Sequence, residues 1–128
     1  MKNALFTLGL TFLTAAVLPL RAEEEPKKSS LWMRQKLQAS QTILAGLADA
    51  DFDAIRQNAQ AMSLMEYLEK SLRADIPGYR TQLRLFEFAD RELIRAAREK
   101  NIDAATLAYT QLTISCVNCH KIVREAAK

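Results

Sequence analysis

Glycine and proline occur three times each in this chain of 128 residues, cysteine twice and histidine once. So little glycine and proline excludes a loop-dominated or low-complexity chain. Two cysteines are too few for a disulfide framework. One histidine excludes any site that needs two imidazoles from a single chain. No glycine-rich loop is present to cradle a phosphate, and no nucleophile stands beside a recognisable base. These absences predict a carrier or binder rather than an enzyme, with any turnover left to a cofactor. The length allows one folded domain.

What is present begins with a targeting pattern. Met1-Lys2-Asn3 is a short positive start, and residues 4–18 form an uncharged, mostly apolar run. Pro19 breaks the run, and Leu20-Arg21-Ala22 ends in a small residue. This layout predicts a secretory signal peptide over 1–22, cleaved near Ala22, and a periplasmic mature chain. The alternative is an N-terminal anchor, but fifteen residues rise only about 22 Å, short of a ~30 Å hydrocarbon core. Residues 23–30 then form a polar tail, and no later apolar run is long enough to span a bilayer. The formal charge of +3 comes from 18 basic and 15 acidic residues. Losing Lys2 and Arg21 leaves 16 against 15, a net +1. The pI near 9.0 thus gives no support to a nucleic-acid partner.

From Ser29 the apolar spacing is helical, and nothing reads as a strand. A first helix is predicted from about Leu31 to Leu47, with Met33, Leu37, Ile43, Leu44 and Leu47 inward, Ser40 on the same face and Gly46 marking the stop. Asp51 caps a second, about 52–73, with Phe52, Ile55, Ala59, Met62, Met65, Leu68 and Leu72 inward. Asp75-Ile76-Pro77-Gly78 is a turn. A third helix follows over about 79–100, with Tyr79, Leu83, Phe86, Leu93 and Ala97 on one face. Asp103 caps a fourth, about 104–126, with Ala105, Ala108, Leu112, Cys116, Cys119 and Val123 inward. Four such helices with short connections predict an all-α, antiparallel up-down-up-down bundle over 31–128.

One motif carries chemistry. Cys116-Val117-Asn118-Cys119-His120 is a C-x-x-C-H run, which in an exported chain points to covalent haem attachment. Two thiols about one helical turn apart can reach two vinyl groups on one edge of the macrocycle. The adjacent imidazole can then ligate iron as the proximal ligand. A thioredoxin-like dithiol needs a βαβ setting that is missing here. A structural zinc site needs four ligands, and three are present. A Cys116–Cys119 disulfide would be strained within a helix. It remains the alternative, in a non-haem helical interaction module.

With the signal peptide, the four helices and this motif near the C-terminus, the chain resembles the class II c-type cytochromes, the cytochrome c′ and cytochrome c-556 group. Cys116, Cys119, His120 and Arg124 match that family's C-x-x-C-H-x-x-x-(Arg/Lys). Class I cytochromes c match less well, because only eight residues follow His120 and none is Met. The resemblance implies one covalently attached haem c, His120 as proximal ligand and a distal face covered by the first helix. A Met there would serve electron transfer with a redox partner protein. An apolar residue would leave a five-coordinate iron that binds diatomic gases such as NO or CO.

Two residues compete for the distal position. Leu37 there continues into Ser40, Leu44 and Leu47, but puts Met33 where the family often has Arg. Met33 there has the poorer stripe. The two are i and i+4 and share a face, and core packing is the alternative role for each. Met62 and Met65 belong to packing, and Lys36 would ligate only if deprotonated in a dry site. Arg34 is a candidate partner for a haem propionate, with an exposed surface charge as the alternative. Arg124, four residues after His120, is either a cation tuning the proximal side or a charge favoured by the helix dipole. Trp32 and Tyr79 read as bundle-edge packing. The resemblance also implies a homodimer through the first two helices. Two ionised propionates would bring the mature holoprotein near −1 before the iron is counted.

Overall fold

The computed structural model describes residues 31–69 and 76–128. It contains four helices: α1 (Leu31–Asp49), α2 (Phe52–Glu69), α3 (Tyr79–Arg98) and α4 (Ile102–Glu125). There is no strand among the described residues. The anticipated signal peptide, the polar tail at 23–30, Leu72 and Asp75 lie outside them. Helices adjacent in the chain pack side by side, and α1 closes the square against α4. This is the expected up-down-up-down bundle, because connections of a few residues force neighbours to be antiparallel.

Local chemistry sets the helix ends. Asp51 accepts the Ala54 backbone N–H through Oδ1 at 2.9 Å and caps α2 as expected. For α4 the cap is Asn101 rather than Asp103, with Oδ1 accepting from Ala104 N at 3.0 Å. The helix therefore begins at Ile102, and Asp103 lies in its first turn, where the dipole favours an acid. Gly78, with φ 79°, begins α3. Ala50 and Lys100, with φ 54° and 53°, end α1 and α3 in the left-handed conformation. The Asp51 and Asn101 amides donate back to the Gly46 and Ala96 carbonyls at 2.8 and 3.0 Å. Both ends are Schellman turns built without glycine.

Gly46 thus does not stop α1. It is buried three residues before the helix end. A Cβ placed on it would lie 3.0 Å from Ile55 Cγ1 and 3.2 Å from the Asp51 carbonyl oxygen. Gly46 is there so that α1 and α2 can approach closely.

The apolar core runs along the bundle axis through Ile43, Ile55, Ala59, Met62, Leu93 and Leu112, each essentially inaccessible. The inward faces of α2, α3 and α4 agree with the spacing read from sequence wherever side chains are described; that of Leu68 lies outside the described residues. Phe52, Cys116, Cys119 and Val123 are half-buried rather than fully inward, and Tyr79 is fully buried rather than at an edge. For α1 the inward face is different. Its buried residues are Ala39, Ile43 and Gly46, with Trp32 and Leu47 packed against the core. Leu37 and Leu44 are 60% and 56% exposed. The stripe was misplaced by about one residue because small residues, not leucines, occupy the close helix contact.

Candidate functional site

Cys116, Cys119 and His120 lie near the C-terminal end of α4. Neither thiol is in a disulfide, both cysteines are half-buried, and the His120 side chain is exposed. Burial pushes the Cys116 thiol above its ordinary pKa, partly offset by the Lys36 ammonium. Arg124 is exposed in the last turn of α4, and Arg34 is exposed in the first turn of α1.

The α1–α4 edge has the sparsest contact of the four adjacent helix pairs. Tyr109 joins the two helices there. Its hydroxyl donates to the Ser40 carbonyl oxygen at 3.1 Å and lies 3.0 Å from Ser40 Oγ. This pairing fixes which faces meet and in what register. Seven residues from Ser40 toward the N-terminus is Met33, and seven from Tyr109 toward the C-terminus is Cys116. Seven residues are nearly two turns and about 10.5 Å, so each returns to the face it left. In antiparallel helices the two steps run in the same direction. Met33 and Cys116 therefore stand opposite each other across the seam, with His120 one turn further out on the face of Cys116.

The two distal candidates differ in exposure. Leu37 is 60% exposed. Met33 is half-buried. Met62 and Met65, on α2, are buried in the core as expected.

Sequence spacing gave no warning of a polar layer at the level of Cys116. Glu66 is 4% exposed and Asp90 is fully buried. Ser63 donates to Asp90 Oδ2. The Lys36 ammonium lies over the Phe86 ring, 4.9 Å from its centroid. Burial raises the Glu66 carboxyl from 4.5 to about 8, helped by a hydrogen bond to Glu87 and by that residue's charge. Burial raises Asp90 from 3.8 to about 6, opposed by the Ser63 hydrogen bond and by Lys36. One signal was readable: Asp90 follows Phe86 by four and precedes Leu93 by three, so it lies within the apolar stripe of α3.

A groove of about 470 Å³ opens on the α1–α2 edge, lined by Trp32, Gln35, Ala39, Asn58, Leu64 and Met65 among others. It contains none of the motif's residues. No group of three or more His, Cys, Asp or Glu among the described residues could hold a metal ion. The side chains that a covalently attached macrocycle would need are present on α4: two thiols outside any disulfide and an adjacent exposed imidazole, beside the sparsely packed α1–α4 edge. No described helix is long and apolar enough to cross a membrane. Comparison with protein-family models, curated proteins and solved structures returned no match.

Proposed function

We propose that this chain is a periplasmic mono-haem c-type cytochrome that carries electrons, with Cys116 and Cys119 as attachment points and His120 and Met33 as axial ligands. What supports this reading is the C-x-x-C-H run on α4 beside the sparsely packed α1–α4 edge, where the Ser40–Tyr109 hydrogen bonds set a helical register compatible with Met33 facing Cys116. Haem c held there supplies a one-electron Fe(III)/Fe(II) couple.

The chain's own residues do the rest. The two thiols tether the cofactor, so it is retained in both oxidation states. His120 would provide nitrogen from α4 and Met33 a thioether sulfur from α1, a pairing that would favour the reduced state. Both ligands sit on preformed helices, so little rearrangement is needed between oxidation states. Arg34 and Arg124, exposed at the ends of α1 and α4, provide positive charge for propionates or for an approaching partner protein. The partner is a redox protein, not nucleic acid, and no catalytic step is assigned to any side chain.

Leu37 supports a second reading. It faces the seam beside Met33, and if it covered the iron the protein would bind NO or CO instead. The test is the spin state of the purified holoprotein. A low-spin spectrum in both oxidation states, lost in Met33→Ala, is expected for the carrier. A high-spin ferrous form that takes up CO and ignores Met33→Ala would overturn it in favour of gas binding. Absence of covalent haem after expression with an attachment system would remove both readings and leave the disulfide-bearing helical module.

A further inference from the structure

The bundle is not apolar beneath the motif. Every helix contributes a polar or ionisable group to one layer: Lys36 from α1, Ser63 and Glu66 from α2, Glu87 and Asp90 from α3, and Cys116 from α4. The charge of Arg91 also reaches it. Burial of Glu66, and then the Glu87 carboxyl beside it, raise the affinity of Glu66 for a proton. Glu66 Oε1 and Asp90 Oδ1 are buried with no hydrogen-bond partner among the described residues. Three carboxyls therefore stand together against the Lys36 ammonium and the Arg91 guanidinium, with two buried oxygens left to accept a proton.

Such a layer responds to charge nearby. It lies one to two helical turns from His120, about 6–10 Å along the axis. We propose that Glu66, Glu87 and Asp90 form a proton-binding site whose affinity for a proton rises when a haem held above it is reduced by a donor protein. For a tenfold rise in affinity the layer takes up at most about half a proton per electron, so proton uptake offsets part of the added negative charge. The inference rests on the haem reading. Removing one positive charge about 10 Å away, at an effective dielectric near 20, raises a carboxylate's proton affinity roughly tenfold.

The test is a redox titration of the holoprotein from pH 5 to 9, with infrared difference spectra of the reduced and oxidised forms. The midpoint potential should fall with rising pH by about 59 mV in total for a tenfold change in affinity. A protonated-carboxyl band should grow on reduction. Glu66→Gln should flatten the profile and remove the band while leaving haem attached. Ser63→Ala, which takes a hydrogen bond from the Asp90 carboxylate, should move the pH-dependent window upward with the fold intact. A flat profile in the wild type, or an unchanged one in both variants, would overturn the proposal and leave the carrier reading standing. Failure to attach haem would instead overturn the carrier reading, and the coupling with it.

Discussion

Glu66→Gln should change how stability depends on pH. The Glu66 carboxyl is raised to about 8 and that of Asp90 to about 6, from ordinary values of 4.5 and 3.8. The folded chain therefore binds these protons more tightly than the unfolded chain does. Stability from them is complete below about pH 4 and is lost as pH rises through the folded values. At roughly 1.4 kcal/mol per pKa unit, the Glu66 displacement has a ceiling of about 5 kcal/mol. Solvent reaching the half-exposed Glu87 and the Lys36 ammonium lowers it, leaving about 2–3 kcal/mol between pH 5 and 8. Urea unfolding of the full chain at constant ionic strength checks this. With a slope near 1.5 kcal/mol/M, the midpoint should drop by about 1.5–2 M from pH 5 to 8. In Glu66→Gln most of that drop should vanish. Stability that rises across this range, or an equal fall in the variant, would refute the buried polar layer.

Other substitutions probe the bundle directly. Gly46→Ala gains about 1 kcal/mol of helix propensity, but its Cβ meets Ile55 and the Asp51 carbonyl. A net loss of about 1–2 kcal/mol is expected, and a higher Tm would contradict the close α1–α2 approach. Lys100→Gly relieves a left-handed residue and should raise stability by about 0.5–1 kcal/mol in the same urea assay. Leu93→Ala, at a fully buried position, should cost about 2–5 kcal/mol. Asn101→Ala removes the α4 cap and should cost about 1 kcal/mol; calorimetry would resolve either loss.

The α1 face and the polar layer were hidden in the sequence for the same reason. Periodicity assumes that large apolar residues face inward and charges face out. In α1 the close contact needs Ala39 and Gly46, so Leu37 and Leu44 were displaced toward the seam. Helical spacing does not by itself gather Lys36, Glu66 and Asp90 into a buried layer, because a sequence does not say which opposite charge or hydroxyl will lie across the bundle. Helix order was legible because caps and turns act over three or four residues. Asp51 and the Ile76–Gly78 turn were readable on that scale.

By itself the sequence determined the four helices, most of the core, and the C-x-x-C-H run with its single histidine. These depend on local spacing, which helical geometry converts directly into faces and turns. Only the tertiary structure decided how α1 meets α4, through the Ser40–Tyr109 hydrogen bonds, and which face of α1 is buried. It alone gathered Lys36, Glu66, Glu87 and Asp90 into one layer. Register between helices distant in the chain follows from how side chains such as Ser40 and Tyr109 meet, and no spacing along one helix encodes that.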